Sequence, residues 1–447
     1  MIFQPTQKDH EKLNRFGLPA RPRDVWWAIY DGIAAAGVGI VHVAGLFHKK
    51  LGAAVCGRAG GVTRWQIQLL DGRPSVLIHA ASRGEFEAVC PLVDRLLKRG
   101  DCRVAVSYSS PSVEKTVQNY PGLWASGYLP FDRLGEQLRF LTRIEPSVIL
   151  IAKHDIWPNM IRAAAMLRIP FILINANFHS RTKRRLPFVS RFNRQFLSLV
   201  SEIWTISEED AARIKPLVAQ STPLKVVGDT RYDRTMQRAE EARGKHAGLK
   251  TALGTGPVIV AGSTWPPEEK IIFPAFSSLK KTSLSAKLVI APHEPEEESL
   301  SRCRKAAVEQ GLTMMLYSQW KGDPVTEDII TIDCLGILAD IYAVGWATIV
   351  GGGFGVGVHS VLEPAAYNLP VAFGPNCHVS REAGLLLKCG GGSILASAEA
   401  LCSQWSGWLD DPACYAQAAN SAGNVVASHA GATSRVLELL EPYLRRQ

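Results

Sequence analysis

Residues 76–87 read VLIHAASRGEFE, an apolar run that gives way to a polar stretch carrying Ser82 and Glu85. An uninterrupted apolar run is typical of a strand buried on both faces of a parallel sheet. The polar stretch after it is typical of a helix start. Strand and helix in this order form one unit of an α/β fold. These twelve residues therefore predict a layered α/β protein.

The same alternation recurs along the chain and then restarts. Apolar runs of this kind lie at 76–80, 103–108, 148–152, 170–175 and 202–206, and again at 257–261, 287–291, 329–332, 347–351 and 370–373. A chain of 447 residues is too long for one core, so we expect two doubly wound α/β domains. The predicted division is an N-terminal segment at 1–50, one domain at 51–235, a second at 236–425 and a C-terminal helix at 426–447.

An apolar stretch near the N-terminus has aromatic and basic flanks. Residues 32–47 carry no Asp, Glu, Lys or Arg, Trp26 and Trp27 precede them, and Lys49 and Lys50 follow. The stretch is shorter than the ~20 residues that span a bilayer, and the residues before it lack the apolar core of a signal peptide. Trp and Lys flanks predict a membrane-interface helix at the cytoplasmic face. A small-residue helix packed on the protein core is the alternative.

Charge and cysteine spacing narrow the class of partner. The formal net charge of +9 favours anionic partners, which include nucleotides, nucleic acid and an acidic membrane surface. The nine cysteines are scattered, with no CxxC pair and no metal-ligand spacing. This distribution is typical of reduced cytoplasmic thiols and predicts no metal site.

Polar residues follow two predicted strands at the sheet edge where open α/β sheets bind ligands. Glu85 opens a helix after the strand at 76–80 and has the chemistry of a general base. Ser82 and Glu85 also have the spacing of a capping box, which would be a structural role. Lys153 and Asp155 follow the strand at 148–152, where Asp155 is either a ligand contact or a helix cap.

Two further segments have the chemistry of anion sites. A basic stretch after the strand at 170–175 includes Arg181, Arg184 and Arg185. It is either a solvated helix face or a surface for anionic lipid or a phosphorylated acceptor. The glycine-rich loop at 351–357 lacks the spacing of dinucleotide sites, but its amides and the next helix start can hold a phosphate. Glu363 on that helix can accept hydrogen bonds from a ribose, and the alternative is a tight turn that needs glycine.

Taken in order, these segments resemble the lipid A Kdo transferases over nearly the whole chain after residue 50. Residues 79–85 are similar to the HAAS-x-GE motif of that family, and residues 155–159 to its ELWPN motif. Further similar segments lie at 175–177, 207–210, 228–233, 261–264, 292–295, 350–353, 359–364 and 374–375. The order of so many segments is more specific than any one of them.

The resemblance implies a GT-B type glycosyltransferase with two Rossmann-like domains facing a cleft, an inverting reaction, and no metal or other cofactor. Glu85 would be the catalytic base. The implied acceptor contacts are Ser82, Arg83, Gly84, Lys153, Asp155, Arg181, Arg184 and Arg185. The implied donor contacts are Ser263, Thr264, His293, Gly352, Gly353, His359, Ser360 and Glu363. The expected partners are CMP-Kdo, a lipid A precursor and the anionic cytoplasmic face of the inner membrane, and not nucleic acid.

The chain departs from the family pattern at several positions. Lys153 and Asp155 stand where the family has two Glu residues, His293 where it has Arg, and Ser360 where it has Asn. Two alternatives remain open at this point. One is another GT-B enzyme that uses a UDP-sugar, either a transferase or an epimerase. The other is an inactive membrane-bound nucleotide-sugar binder, against which the retained Glu85 argues.

Overall fold

The computed structural model describes residues 25–68, 71–153, 155–177 and 193–445. The chain forms two compact units: unit 1 holds the described residues up to Arg234 and from Gly431 onward, and unit 2 holds Thr235–Ala430. Each unit contains one mainly parallel sheet with helices between its strands. The predicted α/β class with two doubly wound sheets is therefore confirmed.

The strands of unit 1 are β1 (Gln66–Ile67), β2 (Ser75–His79), β3 (Arg103–Tyr108), β4 (Ala125–Tyr128), β5 (Val148–Ala152), β6 (Phe171–Ala176), β7 (Glu202–Thr205) and β8 (Leu224–Val226). Those of unit 2 are β9 (Val258–Thr264), β10 (Lys287–Pro292), β11 (Met314–Leu316), β12 (Ile329–Thr331), β13 (Ala347–Val350), β14 (Val371–Phe373) and β15 (Gly392–Ile394).

The α-helices, in chain order, are α1 (Val25–Gly45), α2 (Lys49–Arg58), α3 (Arg83–Arg99), α4 (Pro111–Gln118), α5 (Leu134–Ile144), α6 (Pro158–Met166), α7 (Glu208–Ile214), α8 (Thr230–Ala242), α9 (Ala247–Leu253), α10 (Pro266–Thr282), α11 (Glu297–Glu309), α12 (Leu338–Ile341), α13 (Leu362–Ala365), α14 (Arg381–Cys389), α15 (Ala398–Asp410), α16 (Pro412–His429) and α17 (Ala432–Leu444).

The strand order reverses at one place in each sheet. The order is β1-β4-β3-β2-β5-β6-β7-β8 in unit 1, where β1 is antiparallel to β4, and β11-β12-β10-β9-β13-β14-β15 in unit 2. From β2 the chain goes to β3 on one side and later to β5 on the other, and β9 is flanked in the same way by β10 and β13. Doubly wound sheets bind ligands at the carboxyl ends of such a pair. The loops after β2 and β5, and after β9 and β13, are therefore where a site is expected.

The central strands are buried on both faces, which explains their uninterrupted apolar sequences. Every residue of β2 and of β5 is buried. In unit 1, Phe86 and Val89 of α3 pack on one side of the sheet, and Phe140 and Ile161 pack on the other. The sheet thus holds its carboxyl edge rigidly in place, with the loops after β2 and β5 side by side.

One face of α1 is bound to the rest of unit 1. Trp27 is only 3% exposed, and the guanidinium of Arg162 lies 4.9 Å from its ring centroid. Arg162 also donates to Asp31 at 3.3 Å, and the hydroxyl of Tyr30 donates to Asp132 at 2.6 Å. The prediction that Trp27 anchors the helix in the headgroup region is therefore wrong, because this side chain packs in the protein core with a cation beneath it.

The other face of α1 is apolar and exposed. We call Val25, Ile29, Ile33, Ile40 and Val43 the exposed stripe; their exposed fractions are 46–69%, and their spacing places them on one side of the helix. The helix has 21 residues, more than the predicted apolar stretch, and by length and composition alone it could cross a membrane. It therefore combines a face bound to unit 1 with an apolar face that the described residues of the chain leave exposed.

The chain passes between the units twice. It leaves unit 1 within α8, after Arg234, and returns between α16 and α17. Residues 426–447, predicted as one helix, contain the end of α16, a turn at 430–431 and α17. Asp233 fixes this turn, because its carboxylate accepts from the amides of Gly431 at 2.6 Å and Thr433 at 2.7 Å. Val436 and Leu440 of α17 then complete the core of unit 1.

Candidate active site

Glu85 lies in the first turn of α3, where the chain leaves the carboxyl end of β2. Its carboxylate accepts a hydrogen bond from the amide of Ser82 at 3.2 Å, so the predicted capping box forms. This bond uses one oxygen of a half-buried side chain, so a cap and a base are compatible roles for the same residue. Arg83 and Gly84 in the same turn are exposed.

Asp155 is held beside this turn by a buried histidine. The Nε2 atom of His79 lies 2.9 Å from Oδ2 of Asp155, and its Nδ1 atom lies 2.9 Å from Oγ of Ser107. A neutral imidazole with its proton on Nε2 satisfies both contacts, since Asp155 then accepts and Ser107 donates. The indole of Trp157 donates to the same Oδ2 at 3.0 Å. Asp155 does not cap α6, which begins at Pro158 after Trp157.

Backbone strain gathers at the ends of three strands. Lys153 directly after β5 has a φ of 61°, Asn175 in β6 has 51°, and Ser263 in β9 has 51°. Residues other than glycine rarely adopt this left-handed conformation, and where they do they cluster at functional sites. The pairing of β6 with β7 also shifts register near Asn175, and that of β9 with β10 shifts at Ser263. Such bulges redirect side chains, so these strand ends are candidates for ligand contacts.

Arg58, which no sequence pattern singled out, reaches the same edge of unit 1. It ends α2, and its guanidinium donates to the carbonyl of Ser109, just beyond β3, at 3.0 Å. The same group lies 5.5 Å from the ring centroid of Tyr128 and 5.3 Å from that of Phe131. Burial lowers the pKa of Arg58, and the charges of Tyr128 and Asp155 oppose that shift. A cation is thus placed close to Asp155.

The basic segment that contains Arg181, Arg184 and Arg185 lies outside the described residues. Asn175, just before it, is engaged within unit 1. Its side-chain oxygen accepts from the amide of Thr230 at 3.2 Å, and its nitrogen donates to the Thr230 hydroxyl at 2.6 Å. Asn175 therefore ties the end of β6 to the start of α8, which is a structural role.

In unit 2, the glycine loop after β13 is pressed against neighbouring backbone. A Cβ atom on Gly351 would lie 2.1 Å from the carbonyl oxygen of Ser263, and one on Gly353 would lie 2.5 Å from the amide nitrogen of Gly374. Side chains do not fit at such separations, so glycine is required at both positions. The loop therefore packs directly against the end of β9, where Ser263 has a left-handed backbone conformation.

Part of the predicted phosphate-binding capacity of this loop is used internally. The amide of Gly357 donates to the carbonyl of Gly352 at 3.0 Å, and the amide of His359 donates to that of Gly351 at 3.1 Å. These two amides are not available to a phosphate. The following helix α13 has four residues, and Glu363 is the second of them. The short helix and these internal bonds therefore leave fewer amides for a phosphate than the sequence pattern predicts.

Three aromatic side chains, which we call the ring stack, meet at the carboxyl edge of unit 2. They are Trp265 after β9, His293 after β10 and His359 after β13. The ring of His293 lies 4.7 Å from that of Trp265 and 4.5 Å from that of His359, measured between centroids. The Trp265 indole donates to Nε2 of His359 at 3.2 Å. The stack unites two predicted donor residues and adds Trp265, which directly follows the Ser-Thr pair that sequence analysis selected.

Sequence relatives share the segment that carries the unit 1 residues. Residues 55–234 match the family model described as 3-deoxy-D-manno-octulosonic-acid transferase (kdotransferase). A 3-deoxy-D-manno-octulosonic acid transferase of Bordetella pertussis is 28% identical over 384 residues, which are 83% of this chain and 87% of that protein. One of Aquifex aeolicus (strain VF5) is 28% identical over 312 residues, 69% of this chain and 78% of that protein. The chain is therefore similar to Kdo transferases over most of its length.

The fold of this chain recurs in solved structures, one of which is a sugar-nucleotide enzyme. A UDP-GlcNAc 2-epimerase from Neisseria meningitidis bound to UDP-GlcNAc has a TM-score of 0.59 and 15% identity, and the match covers 82% of this chain and 99% of that chain. At this identity the likeness shows the GT-B-like fold alone. The class of reaction is indicated instead by the sequence relatives, which are named as Kdo transferases.

The remaining residues predicted to bind the donor differ in accessibility. Ser263 is half-buried at the bulge of β9, and Ser360 is exposed. Thr264 is buried, and its hydroxyl donates to Glu269 at 3.2 Å. The carboxylate of Glu363 contributes, after burial, to a raised pKa of Tyr342. Ser263 and Ser360 are therefore accessible in a way that the Thr264 hydroxyl is not, and Glu363 is half-buried.

Proposed function

We propose that this chain transfers Kdo from CMP-Kdo to a lipid A precursor, with inversion and without a metal ion, as a step of lipopolysaccharide core biosynthesis. The observation that carries the proposal is the family match over residues 55–234, a range that includes both Glu85 and Asp155. The position of Glu85 in the first turn after β2, at the switch point of the unit 1 sheet, supports it.

Glu85 acts as the general base of this reaction. Its carboxylate takes the proton of the acceptor hydroxyl while the hydroxyl oxygen forms a bond to the anomeric carbon. The bond from that carbon to the phosphate oxygen breaks, and its electron pair leaves with CMP. Attack from the side opposite the leaving group inverts the anomeric centre. A positioned base contributes roughly 10²–10⁴-fold to such a rate.

The acceptor binds at the carboxyl edge of unit 1. His79 and Trp157 fix Asp155, so its carboxylate is preorganised for a sugar hydroxyl or amide of the acceptor. Lys153 and Arg58 supply positive charge for a phosphorylated acceptor. Gly84 leaves open space in the turn that holds Ser82 and Arg83, which contact the acceptor. The sequence pattern adds Arg181, Arg184 and Arg185 as further acceptor contacts.

CMP-Kdo binds at the carboxyl edge of unit 2, where β9 and β13 form the switch point. Glu363 accepts from the ribose, and Ser263 and Ser360 contact the phosphate or sugar. The ring stack contributes His293 and His359. Gly352 and Gly353 let the ligand approach the backbone, while Thr264 acts by shaping the end of β9 through its bond to Glu269.

The exposed stripe of α1 lies in the lipid interface at the cytoplasmic face of the inner membrane. A helix that crossed the bilayer would have to withdraw Tyr30 from Asp132 and Asp31 from Arg162. An interfacial position keeps both contacts and covers the apolar face, which is favourable by about 1.5–3 kcal/mol for each large apolar side chain buried. The interfacial helix therefore agrees better with the contacts of α1.

We expect the double replacement Ile33→Asp with Ile40→Asp to lower binding to anionic vesicles by at least about tenfold, because it removes apolar area and adds negative charge to the stripe. Flotation of protein with vesicles measures the bound fraction. The matched control is Leu284→Asp with Val308→Asp, which changes two exposed apolar residues of unit 2 in the same way. Equal binding by both double variants and the wild type would contradict the assignment.

The function itself is tested by incubating purified protein with CMP-Kdo and a lipid A precursor and measuring the lipid mass. We expect a mass increase of one or more Kdo residues that persists in EDTA. A parallel incubation with UDP-GlcNAc tests the alternative donor. No mass increase with CMP-Kdo, or modification by UDP-GlcNAc instead, would refute the proposal, and loss of product in EDTA would refute metal independence.

A further inference from the structure

The geometry of the ring stack leaves one face of His293 turned away from the other two rings. Trp265 and His359 are joined edge to edge by their 3.2 Å hydrogen bond, and their rings make angles of 23° and 15° with His293. A ring sandwiched between them would hold them too far apart for that bond. Both therefore lie on the same side of His293, whose side chain is half-buried.

The same hydrogen bond decides which imidazole can carry a charge. Indole Nε1 is only a donor, so Nε2 of His359 must accept and cannot be protonated while the bond stands. Burial lowers the pKa of His359, and the charge of His293 acts in the same direction. Two stacked imidazoles also repel each other when both are charged. Within the stack, His293 is therefore the imidazole that can carry a positive charge, and the face of Trp265 would stabilise a cation there.

The carboxylates around the stack do not cancel this positive charge. Glu268 at the start of α10 accepts from the Trp265 amide at 3.2 Å, and Glu269 pairs with Arg302 at 2.6 Å. Glu294 beside His293 is exposed, so water and salt screen its charge. Glu363 beyond His359 is the group assigned above to the ribose. Glu268 and Glu269 are thus held by other groups, and the charge of Glu294 is screened.

We propose that an imidazolium at His293 binds the phosphate of the sugar nucleotide, so that donor binding by this chain is coupled to the uptake of a proton. The inference rests on the proposed donor and deepens it. An arginine, which the family pattern has at this position, stays charged at every accessible pH, whereas an imidazole loses its charge near neutrality. Donor affinity therefore falls as the pH rises through the range in which imidazoles titrate.

Calorimetric titration of CMP into the full chain at about pH 6 and about pH 8 tests this inference. The proteins are the wild type, His293→Arg, His293→Gln and the control His246→Arg. His246 borders a cavity with Val344 and Asn368, at the amino ends of β13 and β14, so the control adds the same charge at the opposite edge of the sheet. The phosphate of CMP titrates in this range too, so each Kd is divided by that of His293→Arg at the same pH.

We expect the wild type and His246→Arg to lose about tenfold in relative affinity between the two pH values, which is the effect of losing one charged hydrogen bond. The His293→Gln variant should bind CMP weakly at both pH values. Buffers of different ionisation enthalpy should show more proton uptake by the wild type than by His293→Arg. If the wild type and His293→Arg both bind CMP with equal pH dependence and equal proton uptake, the inference is overturned while the proposed donor stands. Absence of CMP binding by all four proteins would refute the proposed donor and the inference with it.

Discussion

Replacement of Glu85 by Gln is expected to lower kcat by roughly 10²–10⁴-fold while the melting temperature and the Kd of CMP stay near the wild-type values. The amide oxygen of Gln can still accept from the amide of Ser82, so the capping box survives. What it cannot do is take the proton of the acceptor hydroxyl. Turnover and thermal denaturation of the purified variant, measured side by side, separate the two roles.

The matched control for this experiment is Asp210→Asn. Asp210 is the carboxylate of α7 that corresponds to Glu85, because it lies at the third helical position after the capping Ser207. We expect this variant to keep its turnover. Glu85→Ala, which loses the cap as well, should lose about 1 kcal/mol of stability in addition to turnover. A fully active Glu85→Gln enzyme would show that Glu85 is a cap and not the base.

Replacement of Gly351 by Ala is expected to destabilise unit 2 by roughly 3 kcal/mol and to abolish measurable CMP binding. The added Cβ would lie 2.1 Å from the carbonyl oxygen of Ser263, and a backbone oxygen cannot swing aside as a side chain can. The loop after β13 or the end of β9 must therefore move. For a unit of this size the melting temperature should fall by roughly 6–12 °C.

Gly355 in the same loop supplies the control. A Cβ at Gly355 would meet no atom within 4 Å, and its backbone is not in the left-handed region. Gly355→Ala should therefore melt within about 2 °C of the wild type. Equal melting temperatures for Gly351→Ala and Gly355→Ala would show that the loop does not approach β9 this closely. The role of that contact in forming the donor-binding edge of unit 2 would then be wrong as well.

The central strands could be predicted from sequence because they are buried on both faces, so burial alone dictates an apolar run such as 148–152. Strands such as β4 and β15 could not. β4 reads ASGY and has little apolar character of its own. Gly127 within it is needed because the ring of Trp65 occupies the place of its side chain. That requirement arises from packing between distant residues, which a local pattern does not record.

The candidate site could be predicted as a set of strand ends but not as a set of contacts. Sequence analysis placed Glu85 and Asp155 at the same edge, because the carboxyl ends of parallel strands meet there. It did not pair Asp155 with His79, since that contact depends on β5 lying directly beside β2. The prediction that Trp27 anchors α1 in the headgroup region was wrong for a related reason. The local sequence around a Trp on an apolar helix is the same whether the ring lies in lipid or in a protein core. The contact with Arg162, which is distant in sequence, distinguishes the two.

The return of the chain to unit 1 determines the order in which the units can be completed during synthesis. Unit 2 is continuous in sequence, so all its residues have left the ribosome before α17 has. Unit 1 begins first but lacks Val436 and Leu440 of its core, and the partner of Asp233, until α17 has been synthesised. Although nascent domains usually fold from the N-terminus onward, unit 1 is therefore the later of the two units to be completed.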